Sequence, residues 1–231
     1  MKVLVVGAAG YVGSILRPAL EREHDCTYFD RREISRAEDR MIVGDVNDEA
    51  KVRRAVEGIE AIIYAPLGVK PGTQKDVGDI DASFGVNLRA WYRWLVIALE
   101  AGIRRFVYAS SMSVYHSLDR RRTDETMPAD AWSAYGTSKR LAETVCESAA
   151  QAHPDITIVA LRMYWPRNDQ DWPVNDVSFA QGPNDLRRLY LAALACDEPG
   201  AHIVQTTGDL DGSRHPHNAV AKLLGWTPEG K

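Results

Sequence analysis

The apolar run Val3-Leu4-Val5-Val6 opens directly into Gly7-Ala8-Ala9-Gly10-Tyr11-Val12-Gly13, and a helical pattern then runs from Tyr11 to Glu23. A short β-branched run without polar interruption suits a strand covered on both faces. Glycines directly after such a strand let the backbone turn sharply and approach a pyrophosphate, whose charge the next helix N-terminus stabilises. The spacing is G-x-x-G-x-x-G: Gly7, Gly10 and Gly13 make the turn, with Ala9, Tyr11 and Val12 beside them on the cofactor side. Asp30 closes the second apolar run, where a carboxylate can accept both hydroxyls of an adenosine ribose. Strand, turn, helix and acid in register point to a bound dinucleotide; the alternative is a structural turn with an unrelated surface acid. Asp30 would repel a 2′-phosphate and favours NAD, but Arg31 and Arg32 follow at once and can pair with that phosphate, which leaves NADP open. Asp45-Val46, past the third apolar run, either caps the adenine or is a loop leading into a helix.

The rest of the chain repeats this alternation. Strands are expected at 26–29, 41–43, 61–64, 106–109 and 156–161. Helices are expected from Asn47-Asp48 to Gly58, over 81–101 up to Gly102, and over 135–152. Such a rhythm implies parallel pairing with right-handed crossovers, hence an α/β, doubly wound parallel sheet of Rossmann type. Beyond Arg162 the pattern changes. Residues 165–183 are rich in Pro, Asn and Asp, and a helix (184–196) and a strand (202–205) follow. The reading is a dinucleotide-binding domain over 1–162 and a small C-terminal substrate lobe over 163–231, laid on the sheet's carboxyl edge and not independent.

Composition excludes several classes. Lys plus Arg number 28 against 32 Asp plus Glu, a net charge of −4, which disfavours a nucleic-acid partner. The one dense cationic run, Arg120-Arg121-Arg122, reads as a solvated loop. No apolar segment approaches the length a secretory signal or membrane span needs, so no membrane partner is expected and the cytoplasm is the expected location. Cys26, Cys146 and Cys196 lack metal spacing and read as buried thiols; His215 and His217 flank a proline without a third ligand, and no metal is expected.

Tyr135 and Lys139 are four residues apart on a predicted helix and share a face. A free tyrosine has a pKa of about 10, and bringing it to about 7 takes roughly 4 kcal/mol of differential stabilisation. An ammonium within a few ångströms, with a positive nicotinamide ring, can supply this in a partly desolvated cleft. Tyr135 can then exchange a proton with a substrate hydroxyl while hydride moves to or from the ring. Ser110-Ser111 closes the preceding strand, where a hydroxyl can bond the substrate oxygen; taken alone it is equally a strand-ending turn residue. Trp165, Trp172 and Arg167 lie in the variable lobe and either meet a sugar ring or carboxylate, or anchor their loop.

With these residues assembled, the chain resembles the extended branch of the short-chain dehydrogenase/reductase family, of the NAD-dependent epimerase/dehydratase type. The likeness rests on the glycine turn, Asp30, Asp45-Val46, Tyr108-Ala109-Ser110-Ser111-Met112-Ser113-Val114-Tyr115, Tyr135-Gly136-Thr137-Ser138-Lys139 and Leu224-Gly225-Trp226-Thr227-Pro228. It implies Ser111 as the catalytic hydroxyl, Tyr135 as acid/base and Lys139 as holder of the nicotinamide ribose. It also implies that Ala65 and Pro66 line the cofactor path and that Asn87 is a cofactor-side polar group. A homodimer is implied through the 81–101 helix, which carries Trp91, Tyr92 and Trp94, and the Tyr135 helix. Members that dehydrate nucleotide sugars carry an Asp-Glu pair where this chain has Met112 and Ser113, so that reaction is not expected. In size and closing segment the chain looks more like the compact uronate dehydrogenases, though Tyr164-Trp165-Pro166-Arg167-Asn168 does not match their substrate loop. The expected activity is NAD-dependent dehydrogenation at a secondary hydroxyl or carbonyl of a sugar-type substrate. The alternatives are a nucleotide-sugar epimerase and, from another class, a non-catalytic dinucleotide-binding regulator.

Overall fold

In the computed structural model, which describes residues 1–35, 37–69, 80–118, 122–173 and 179–230, each apolar run forms a strand. These are β1 (Lys2–Val6), β2 (Asp25–Asp30), β3 (Met41–Val43), β4 (Ala61–Tyr64), β5 (Arg105–Ser111), β6 (Thr157–Met163) and β7 (Gly200–Thr206). All pair in parallel in the order β3-β2-β1-β4-β5-β6-β7. Arg120 and Arg121 lie outside the described residues.

Alternation along β1 shows how two layers of helix are held. Val3 and Val5 pack with Ile15 and Leu16 of α1 (Tyr11–Glu23), while Leu4 and Val6 face the opposite core. That second core contains Val52 of α2 (Glu49–Ala55) and Trp91, Trp94 and Leu95 of a long helix. The long helix runs as α3 (Ile80–Ala82), a π-helical stretch (Ser83–Ala90) and α4 (Trp91–Glu100). Trp91 and Trp94, read as dimer-contact candidates with Tyr92, are fully buried in the subunit, whereas Tyr92 is exposed. α5 (Ala134–Ala152) lies beside this helix, and α6 (Pro183–Ala195) packs next to α1 on the other face.

The sheet does not stop at residue 162. β7 pairs with β6 from Thr157↔Gly200 to Met163↔Thr206, and α6 is the crossover between them. One more β-α-β unit, Leu186, Leu189 and Val204 facing its core, thus draws 183–206 into the doubly wound layer. α7 (Asn218–Leu224), not expected from the sequence, adds Val220 to the same core. Strand order reverses between β1 and β4, and open α/β sheets bind ligands in the crevice at the carboxyl ends there.

Candidate active site

A cleft of about 680 Å³ opens at this switch point. Its floor is the glycine turn. Gly7 has φ +83° and donates its N–H to the Phe29 carbonyl at 2.8 Å. A Cβ on Gly7 would stand 2.8 Å from backbone atoms of Ala65 and Pro66, and one on Gly13 would stand 2.5 Å from the Gly7 carbonyl. The glycines therefore let β1, β4 and α1 crowd together, and Gly7 and Gly10 line the cleft floor. Gly10 caps α1 without a side-chain bond, and the first turn carries no acid, so its amides remain open to an anion. This cradle fits a dinucleotide pyrophosphate.

Asp30, at the end of β2, accepts the Ala9 N–H on Oδ2 and the Arg32 N–H on Oδ1, each at 3.0 Å. The carboxylate ties the turn to the strand end and keeps lone pairs for a ribose. Arg32 lies 4.0 Å from Asp30 and bonds the Ala9 carbonyl, so it is tethered beside that carboxylate. Every cofactor-side residue read from the sequence lines the cleft except Ala9, Gly13 and Asn87. Ala9 and Gly13 act behind the surface, as just described. Asn87 does not reach the cleft surface: fully buried in the π-helical stretch, it accepts the Gly68 N–H at 3.0 Å and donates to Ser138 Oγ at 3.0 Å. Its amide joins the loop after β4 to α5.

At the other end, β5 delivers Ser111 and α5 delivers Tyr135 and Lys139. Ser133 caps α5 by accepting the Gly136 N–H at 3.1 Å. A Cβ on Gly136 would fall 2.2 Å from the Ser113 carbonyl, so glycine there brings the first turn of α5 against the end of β5. Tyr135 thereby lines the same cleft as Ser111, whose Oγ accepts the Ser113 N–H at 3.1 Å. Lys139 is buried, donates to the Ala109 carbonyl at 2.6 Å, and lies 4.7 Å from the Tyr108 ring centre and 5.8 Å from that of Tyr135.

The electrostatics differ from expectation. Burial raises the Tyr135 phenol above its ordinary value, and the neighbouring Ser111 hydroxyl opposes this. Burial also brings the Lys139 amine down to about 7, against the pull of Glu143 and Cys146. These side chains alone do not make the phenol acidic: desolvation outweighs the Ser111 hydroxyl, and the same burial disfavours the charged form of Lys139.

The sequence also underweights a second set of residues. Trp165 and Pro166 wall the cleft beside Met163. Arg167 does not line it; its guanidinium lies 5.2 Å from the Trp165 ring centre. His215 and His217 are buried on Thr123 and the Asp209 carbonyl, and no group of three metal-ligating side chains occurs among the described residues. Nor, among those residues, is any helix long and apolar enough to cross a membrane.

A doubly wound sheet carrying a glycine cradle, a ribose-positioned acid and a Ser–Tyr–Lys set in one cleft defines a dinucleotide-binding α/β protein. Residues 3–166 match the NAD dependent epimerase/dehydratase family, and the chain belongs to it. An L-arabinose 1-dehydrogenase (NAD(P)(+)) of Haloferax volcanii is 30% identical over 71% of this chain and 66% of its own length. A UDP-glucose 4-epimerase of Corynebacterium glutamicum is 30% identical over 66% of this chain and 47% of its own. The chain thus spans less than two thirds of either. Among solved structures, a mutated uronate dehydrogenase superposes with TM-score 0.82 at 26% identity, covering 99% of this chain and 81% of that one.

Proposed function

We propose that this chain is an NAD-dependent oxidoreductase acting on a secondary hydroxyl or carbonyl of a sugar or sugar derivative, with dehydrogenation ahead of epimerisation. The observation that carries the reading is the delivery of Ser111, Tyr135 and Lys139 into the cleft whose far end is the glycine cradle. Gly7, Gly10 and the first turn of α1 would hold the pyrophosphate, Asp30 the adenosine ribose, and Lys139 the second ribose. Bound NAD supplies a hydride acceptor. Ser111 Oγ orients the substrate oxygen toward Tyr135, and Tyr135 Oη exchanges its proton with that oxygen. Because burial keeps the phenol protonated, Tyr135 is set to give a proton to a carbonyl oxygen; taking one from a hydroxyl needs Lys139 in its charged form. The substrate side would be the wall of Met163, Trp165 and Pro166 beside the end of β5.

The same reading includes a homodimer through α4 and α5, supported by exposed Tyr92, Val96 and Leu141. The buried free cysteines support a reducing, cytoplasmic setting. An epimerase is the second reading, favoured by the likeness to the UDP-glucose 4-epimerase. Purified protein with NAD and a panel of aldoses, uronic acids and nucleotide sugars separates the two, since dehydrogenation gives net NADH absorbance and epimerisation gives isomer without it. Tyr135→Phe should lower the rate by about a thousandfold with NADH affinity nearly kept. A variant equal to wild type on every substrate turned over would remove Tyr135 as the acid/base.

A further inference from the structure

Glu143 has no part in the chemistry above, yet it lies one helical turn beyond Lys139 on α5 and is buried. Its Oε1 accepts the Ser110 hydroxyl at 2.6 Å and Arg162 Nε at 2.9 Å, and its Oε2 accepts a second guanidinium nitrogen at 2.8 Å. Arg162, on β6, gives its remaining nitrogen to the Tyr115 hydroxyl and lies 5.1 Å from that ring's centre. One network thus joins α5, β5, β6 and the turn after β5, the elements that carry Lys139, Tyr135 and Ser111. A buried ion pair adds little net stability over an apolar pair of similar size, so packing alone does not account for it.

We propose that Glu143, held by Arg162, is a positioning residue that sets the charge on Lys139 and fixes the strand end bearing Ser111. The proposal rests on the reading that Lys139 serves the cofactor. Its geometric basis is that the carboxylate is fixed by three bonds, one of them to the neighbour of Ser111. Lys139 itself has only a carbonyl as hydrogen-bond partner among the described contacts. Glu143 is the leading influence favouring the ammonium against burial, with Cys146 second. The titratable groups facing Lys139 are Tyr135, Glu143 and Cys146 of α5 and Tyr108 of β5, with Arg162 of β6 acting through Glu143.

The test follows Lys139 by NMR of the full chain, labelled with ¹³C-lysine and free of cofactor, its resonance assigned by loss in Lys139→Met. Glu143→Gln should move the midpoint down by about one pH unit, and Arg162→Met, which leaves the carboxylate unneutralised, should move it up. The pH profile of NADH binding, read by fluorescence, should shift in the same directions. A pair that only packs would lower Tm in both variants and leave the Lys139 midpoint in place, and that result overturns the proposal. If a single variant fails to fold, the Glu143→Gln/Arg162→Met double variant decides, since it buries no lone charge. A midpoint below wild type supports the proposal and an unchanged one overturns it. Should Lys139 shift as expected while NADH binding does not follow, the field from Glu143 stands and the cofactor role given to Lys139 falls.

Discussion

Trp165 sits at φ +43°, in the left-handed region that a bulky residue rarely adopts, and is 52% exposed while lining the cleft that Ser111 and Tyr135 also line. The conformation is imposed from outside: Gln181 donates to the Trp165 carbonyl at 3.3 Å and accepts the Arg167 N–H at 2.9 Å, while the Arg167 guanidinium lies against the ring. A large aromatic held in place in the cleft that Tyr135 lines is suited to stack on a pyranose face, and such contacts contribute about 1 kcal/mol. Trp165→Ala should therefore raise KM for the sugar substrate roughly fivefold to tenfold, with kcat within about threefold and NADH affinity unchanged. Steady-state kinetics with a cofactor titration check this, and an unaltered KM would make Trp165 only the anchor of its loop. The neighbouring Arg167, a candidate for pairing with a substrate carboxylate, lies against the Trp165 ring and outside the cleft lining, so an acidic sugar should gain no special advantage over a neutral one through this residue.

The cofactor path depends on how β4, the long helix and α5 are pinned together, and Asn87 is the pin. Asn87→Ala would strand the buried Gly68 N–H and remove the bond that Ser138 Oγ accepts, leaving that hydroxyl only its bond to the Tyr135 carbonyl, at a cost of about 1–3 kcal/mol. Urea denaturation should show that loss, and NADH affinity should fall with it because Ala65 and Pro66 belong to the same loop. None of this was legible beforehand, for Gly68 and Ser138 lie far from Asn87 in sequence and only the folded layers bring them together. The π-helical stretch was hidden for a similar reason. Apolar spacing over 81–101 predicts the helix, but not that the Val86 and Asn87 carbonyls would accept the Tyr64 and Tyr108 hydroxyls from the sheet. What was legible is local: the glycine turn, Asp30, and the Tyr135/Lys139 spacing each lie within one element or its end. Glu143 repeats that helical spacing once more after Lys139 and was within reach of the same logic. The sheet's extension to β7 was obscured because its strand signal is short and follows the irregular 165–183 segment.

Over the whole molecule, buried titratable groups predict an unusual pH profile of stability. Burial lowers His215 and His217, so the native state binds fewer protons than the unfolded chain at acid pH, and stability falls as pH drops below about 6.5. Lys139, held at about 7 against an unfolded value near 10.4, acts the same way over a higher window. Between those values the unfolded chain keeps a proton that the native state has lost, and stability rises with pH. Burial raises Cys26, to about 11, and also Cys146, which reverses the trend once unfolded thiols ionise near 8.5. Tyr28, Tyr64, Tyr108, Tyr135 and Tyr190, all raised by burial, steepen the loss above pH 10. The urea midpoint should therefore climb from about pH 5 to a maximum roughly between pH 8 and 9 and decline beyond it. Lys139→Met isolates the middle segment: the climb above pH 7 should flatten while the acid limb from the histidines stays. A Lys139→Met profile parallel to wild type from pH 7 to 8.5 would mean that the buried amine keeps its proton in the native state, and with it that Lys139 is a permanently charged partner for Tyr135.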